Sequence, residues 1–315
     1  MSMSPHFRSA IEQNYQVELA TCIPGPRQFV AQTFILTDVN GRRYFCKLTD
    51  KALFIPAIIE SLPVNLEMRA KGIERISVPI PGKRGLYLWM GDTLAVLYDY
   101  IDAPQTYDYD ALALGRLTAE IHKATSRVSC KIPEEDFEFP FRTLFDERFK
   151  RILASHAGDP VLQALQLLLR KHKDRIRRCY SELIRLGSLA KSEPCDFVIT
   201  HGDAPGNVLV KSADDLYIID WDGILLAPPE RDLWMVDHDP RFLEGYRSIQ
   251  PDLTVSTTRR SFFICKSFFV YIVHILSEVL GHADETYRMS QIRNLKENVL
   301  EGWMAPKLRD VIGSA

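Results

Sequence analysis

Asp203, Asn207, Asp220 and Asp222 fall within two neighbouring phrases of the 315-residue chain, HGDAPGN and IIDWD. All four side chains present hard oxygen donors. Such donors suit magnesium, which keeps part of its water shell and commonly joins one or two protein carboxylates to substrate phosphates. The same stretch lacks the His and Cys density of a zinc site. Any one of these acids alone reads more readily as a turn or cap residue, and it is their collection that points to chemistry.

These residues need elements to hold them. CDFVIT, beginning at Cys195, is a short apolar strand; HGDAPGN follows, then VLV, the polar turn KSADD and the run LYIID. Two brief strands joined by that turn bring Asn207 and Asp220 to the same end of a ribbon, because one residue precedes the outgoing strand and the other closes the returning one. Upstream, QTFILTD, RRYFCKLT, the region from Ile76 to Pro79, LYLWM and TLAVLYDY read as strands, with Asn40-Gly41 turning the first hairpin. Between Lys51 and Gly72 the pattern is helical but holds Pro56 and Pro63, so helical pieces with a break are expected. From Asp110 onward helices dominate, with Leu114, Leu117 and Ile121 at helical spacing and a second long pattern from about Pro160 to Leu189. IDAPQTYD reads as the connector between the two halves.

Composition narrows the class. Hydrophobic residues make up 46% and charged residues 25%, which excludes a largely disordered chain. A net charge of −2 gives no bulk attraction to nucleic acid or acidic membrane. The basic run RKHKDRIRR, Arg170 to Arg178, reads as a solvated helix face, and no nucleic acid partner is expected. Six scattered cysteines without a CxxC pair, and an N-terminus without an apolar signal core, point to a reducing, cytoplasmic setting. SFFICKSFFVYIVHILSEVLG is interrupted by Lys266, His274 and Glu278 and reads as a buried helix, with no membrane partner.

HGDAPGN, IIDWD and the following PERDL together resemble the catalytic region of the aminoglycoside phosphotransferase family, and the phrase NVLVKSADDLYIIDWDGILLAPPERDLW is most similar to spectinomycin phosphotransferases. The resemblance implies an α+β, bilobal protein-kinase-like fold: a sheet-rich nucleotide-binding lobe over residues 1–98, a hinge at 99–104 and a mainly helical catalytic lobe over 105–315. It further implies ATP as donor, Mg2+ as cofactor and a small-molecule hydroxyl as acceptor, in a monomer or homodimer. Carried over by motif, Asp203 is the catalytic aspartate, Asn207 and Asp220 hold the metal, and Asp222 supports a second metal or bonds locally. His201 takes a loop-supporting role, and Asp232 is an interior carboxylate bracing the catalytic loop.

One departure from the family is plain. Only Ala204, Pro205 and Gly206 separate Asp203 from Asn207, where the family has four residues. Gly206 is expected to give the shortened loop an unusual backbone path. Transfer is sensitive to such spacing, so a weakened nucleotide-binding protein stands as an alternative to an enzyme.

In the first lobe the resemblance gives Lys47 of YFCKLT to the ATP phosphates, with Glu60 as its preferred partner and Glu67 in reserve. The loop IPGPRQFVAQ corresponds to the segment over the phosphates, through Gly25, Arg27, Gln28 and Phe29, although it carries neither GxGxxG nor GxxxxGK[ST]. Backbone atoms of Tyr98, Asp99, Tyr100 and Ile101 are assigned to the adenine edge; their bland alternative is to finish a strand. The favoured acceptor is an aminoglycoside or aminocyclitol such as spectinomycin, ahead of choline, homoserine or a sugar.

Overall fold

Successive side chains of a strand point to opposite faces of its sheet, and in RYFCKLT both faces are buried from Cys46 to Thr49, so Lys47 enters the interior on the face opposite Cys46 and Leu48. The computed structural model describes residues 3–26, 31–154 and 158–313. Along the chain, α1 (Pro5–Tyr15) leads into β1 (Leu19–Pro24), β2 (Gln32–Asp38) and β3 (Arg43–Thr49), then α2 (Ile55–Ala70), β4 (Leu88–Met90) and β5 (Thr93–Asp99). Next come α3 (Ala111–Lys123), α4 (Arg142–Ala154), α5 (Pro160–Lys171), α6 (Lys173–Ser192) and β6 (Val198–Thr200). The hairpin β7 (Val208–Ser212) and β8 (Asp215–Ile218) precedes β9 (Leu225–Ala227), α7 (Glu230–Leu233) and α8 (Pro240–Arg247). The chain closes with α9 (Thr257–Gly281), α10 (Glu285–Asn294) and α11 (Met304–Ile312). The class is α+β and bilobal, a sheet-rich N-terminal lobe followed by a mostly helical one.

Two compact units emerge from the contacts: residues 1–134 with 196–253, and residues 135–195 with 254–315. In the first, an antiparallel sheet runs in the order β1-β2-β3-β5-β4. One face of the sheet buries Phe34, Leu36, Cys46, Leu48 and Leu97 with Ile11 of α1. On the other, Leu94, Val96 and Tyr98 meet Ile55, Ile58 and Leu62 of α2. Lys47 pairs across to Val96 in the β3–β5 register and therefore shares that second face.

Several local expectations need correction. The proline pair does not break the helix: α2 is one element of 16 residues, with Pro56 at its first turn, where no N–H is required, and Pro63 tolerated within. Ile76 to Pro79 is not a strand but makes single bridges, Ile76 to Ile218 and Pro79 to Tyr98. β1 is not among the expected strands, and it overlaps the expected phosphate loop at Ile23 and Pro24; LATCIP has a partner strand in β2 that local patterning does not reveal. The pattern from Pro160 to Leu189 is two helices, interrupted at His172.

The second unit is helical and aromatic. Phe269 of α9 packs edge-on against Phe145 at 4.9 Å between ring centroids and near Tyr180 at 5.4 Å. Its charged interruption is satisfied internally, since Lys266 donates to Glu135 at 2.6 and 2.8 Å. Among the described residues α9 is the one helix long and apolar enough to cross a membrane, and Phe262, Phe263, Phe268 and Phe269 are all buried within the protein. The basic run is partly neutralised, with Lys171 and His172 both on Glu301 at 2.6 and 3.1 Å.

Candidate active site

The β7–β8 hairpin pairs Val208 with Ile218, and the Ile219 N–H donates to the Asn207 carbonyl at 2.9 Å, so the two ends of the ribbon are tied together. Directly after it the chain turns sharply. Asp220 has φ 67° and ψ 54°, in the left-handed region that aspartate enters more readily than most residues. Trp221–Gly223 form a 3-10 turn, pinned by the Trp221 Nε1–H donating to the Ile218 carbonyl at 2.9 Å. That turn aims two carboxylates at one ammonium. Lys47 Nζ lies 2.5 Å from Asp220 and 2.6 Å from Asp222, with its side chain only 5% exposed.

A buried ammonium is costly unless it is paired. Burial opposes the charge on Lys47, but Asp222 and Asp220 outweigh it and its pKa is raised. The two carboxylates do not fare alike. Burial opposes ionisation of Asp220 too, yet Lys47 holds it below the usual range. In Asp222, burial assisted by the charge of Asp220 outweighs Lys47, and the group rises to about 6.

The loop before Asp203 is held from beneath. Asp232, on α7, accepts the backbone N–H groups of His201 at 3.0 Å and Gly202 at 2.5 Å. It also meets His122 Nε2 at 3.0 Å, while His122 Nδ1 meets the Tyr246 hydroxyl at 2.7 Å. His201 Nε2 bonds the Ile219 carbonyl at 2.8 Å, and its Nδ1 accepts the Asp203 N–H at 3.1 Å. A carbonyl only accepts and an amide N–H only donates, so the proton is on Nε2 and the ring is neutral. Burial lowers the His201 pKa in the same sense. Gly202 has φ 88°, and a Cβ there would run into the Arg231 guanidinium, which itself bonds Thr200 and the Gly223 carbonyl.

The shortened loop is closed by its own bonds. Ala204–Gly206 make a 3-10 turn in which the Asn207 N–H returns to the Ala204 carbonyl at 2.9 Å. Asn207 Nδ2 donates to the Asp203 carbonyl at 2.9 Å and to its carboxylate at 3.4 Å, leaving Oδ1 without a hydrogen-bond partner among the described residues. Gly206 is not in the left-handed region, and an added Cβ would meet the Asp203 carboxylate at 3.6 Å. A side chain would therefore fit at Gly206, and the glycine does not supply the expected unusual backbone path. Burial, helped by the charge of Asp220, pushes Asp203 up to about 6.

Beside these groups lies a cleft of about 760 Å³, counting space open to solvent, within the first compact unit. Ile35 and Phe45 line it from the sheet and Leu209 and Ile219 from the hairpin side, with Tyr98 to Ile101 along the connector and Lys47 and Asp220 at the polar part. Apolar walls with a few converging polar groups are what a bound small molecule requires.

The match to known proteins covers the same ground. Residues 22–248 match the family model described as the phosphotransferase enzyme family. The chain belongs to the phosphotransferase enzyme family. Protein StrN of Streptomyces griseus is 30% identical over 190 residues, covering 54% of this chain and 56% of that protein, so the chain spans little more than half the length of this relative. Among solved structures, the spectinomycin phosphotransferase APH(9)-Ia, in complex with ADP and spectinomycin, shares 20% identity and a TM-score of 0.77, over 97% of each chain. A microcompartment-associated aminopropanol kinase follows at 15% identity and a TM-score of 0.63, over 91% of this chain and 92% of that one. At these identities the likeness establishes a common fold.

Set within this phosphotransferase fold, Lys47, Asp203, Asn207, Asp220 and Asp222 are gathered in one place, with His201 and Asp232 behind them. Tyr98 to Ile101 line the cleft. Glu60 is different: it is exposed on α2, and the carboxylates on Lys47 come from the turn after β8. Glu67 is committed to Ser129 and Cys130, and the Cys130 thiol, then the Ser129 hydroxyl and the two backbone N–H groups, lower it to about 2. Gly25 has its N–H on the Thr33 carbonyl at 2.9 Å, while Arg27, Gln28 and Phe29 lie outside the described residues. Sequence reasoning missed His122, Tyr246 and Arg231. Only Arg231 had a local signal, its place in PERDL; a lone histidine on an amphipathic helix has none.

Proposed function

We propose that this chain transfers the terminal phosphoryl group of ATP to a hydroxyl of a small molecule, with an aminocyclitol such as spectinomycin as the leading acceptor. The observation that carries the reading is the meeting of Lys47 and Asp220 at the polar part of one apolar cleft, with Asp203 near enough to Asp220 to feel its charge. Residues 1–98 form the nucleotide-binding lobe and 99–104 the hinge, and the backbone from Tyr98 to Ile101, at the end of β5 and the start of the hinge, takes the adenine edge. Residues 105–315 form the catalytic and acceptor-binding lobe. Lys47 pairs with phosphate oxygens.

The donor set fits magnesium: Asn207 Oδ1 and the Asp220 carboxylate are hard oxygens beside the hairpin end. When bound, magnesium neutralises charge on the phosphates. Asp203 accepts the hydroxyl proton as the acceptor oxygen bonds to the γ-phosphorus and the bond to the bridging oxygen breaks, with ADP leaving. His201 and Asp232 keep the Asp203 backbone in place.

A second reading, a kinase for a small amino alcohol such as choline or homoserine, is favoured by the fold shared with the aminopropanol kinase. The two separate in one assay. Purified chain with ATP and magnesium is offered spectinomycin, aminoglycosides, aminopropanol, choline and homoserine, and each acceptor is weighed by mass spectrometry. A phosphorylated aminocyclitol supports the first reading; product from an amino alcohol alone replaces it with the second.

A further inference from the structure

Protein kinases and their relatives hold the phosphate-contacting lysine with a glutamate from the helix after its strand. Here that helix has nothing to offer. The buried positions of α2 are Ile55, Ile58, Ser61, Leu62, Val64, Asn65 and Met68, with no carboxylate among them. Its two glutamates face elsewhere, Glu60 to solvent and Glu67 to Ser129 and Cys130. Lys47 is nevertheless almost wholly buried and needs an anion throughout. Asp220 cannot meet that need alone if its carboxylate also serves a metal.

We propose that Asp222 is a positioning residue, the permanent anchor of Lys47, and not a ligand of the metal. Resting on the phosphotransferase reading, this assigns to the DWD turn the task that a helix glutamate performs elsewhere. Asp222 is well placed for it. Its carboxylate sits 2.6 Å from the ammonium, on a turn fixed by Trp221 to Ile218, by the Ile224 N–H to Trp221 and by Arg231 to the Gly223 carbonyl. The same turn packs against α2, which covers the pair without contributing charge. Lysine anchor and metal carboxylate are then two residues apart on one rigid segment. Their spacing is set within that turn.

Binding of ATP in the presence of EDTA isolates the anchor, because without metal no loss can arise from coordination. Asp222→Asn keeps the shape and leaves Lys47 paired with Asp220, so the fold is retained and is checked by circular dichroism. Metal-free ATP affinity should fall about tenfold, the scale of losing one charged hydrogen bond that orients the ammonium. Lys47→Met should weaken it as well, and adding Asp222→Asn to that variant should cost nothing more, since the aspartate acts through the lysine. The magnesium concentration that half-saturates the nucleotide response should stay within about twofold of wild type, a difference worth little free energy.

Unchanged metal-free affinity in Asp222→Asn removes the anchor role, and a magnesium midpoint raised tenfold or more makes Asp222 a metal ligand; either overturns the proposal alone. Additive losses in the double variant overturn it as well. Wild-type protein that binds no nucleotide at all overturns the phosphotransferase reading beneath it.

Discussion

Asp203 carries the chemistry in this account, and its surroundings fix how its activity should depend on pH. Burial first, and then the charge of Asp220, lift its carboxyl to about 6. A raised carboxyl holds its proton more tightly, so the base form is present above that value and is lost as pH falls through it. Turnover should therefore drop about tenfold for each unit below pH 6. Asp203→Asn should lower turnover about a hundredfold or more, while ATP affinity and circular dichroism stay near wild type, and the acid limb left in that variant is the one set by Asp222, which burial also lifts to about 6. A profile flat from pH 7 to 5, in protein still folded at pH 5, would take the base role away from Asp203. These residues were legible because HGDAPGN and IIDWD place them contiguously. Lys47's partner was not, because the pairing spans the distance from β3 to the turn after β8 and follows from the backbone of Asp220.

At the level of elements, the HGDAPGN loop depends on two helices crossing closely. α3 carries His122 and α8 carries Tyr246, and these link to Asp232 in one buried chain. Glycines make the approach possible: a Cβ on Gly115 would collide with the Phe242 carbonyl, and one on Gly245 with the Leu112 carbonyl. Gly245→Ala should force the helices apart and destabilise the fold by about 1–3 kcal/mol, read from urea unfolding. His122→Phe should cost a similar amount by leaving Asp232 and Tyr246 without their shared partner. Urea midpoints unchanged in both variants would mean the crossing is not tight. Sequence periodicity found α3 through Leu114, Leu117 and Ile121 but could not show what crosses it. The same limit explains β1, whose pairing with β2 is tertiary, and α2, where two prolines suggested a break that packing against Leu94, Val96 and Tyr98 overrides.

Across the whole molecule, the charged interruption of α9 illustrates how a hydrophobic stretch is committed to an interior. Glu135 is 1% exposed in its side chain and has Lys266 as its counter-ion, with the Phe137 N–H as a further donor at 2.8 Å. Lys266→Ala should strand that carboxylate and destabilise the protein by about 3–5 kcal/mol in urea unfolding, whereas a loss under about 1 kcal/mol would show the pair to be dispensable. The central claim, however, concerns the first compact unit, where Lys47 and Asp220 share one cleft with the connector at Tyr98 to Ile101. Isothermal titration of the purified, folded chain with ATP, with and without magnesium, tests it most directly. Saturable binding of one ATP per chain, strengthened by magnesium in wild type and not in Asp220→Asn, is the predicted result. Folded protein that takes up no ATP under either condition would contradict the account.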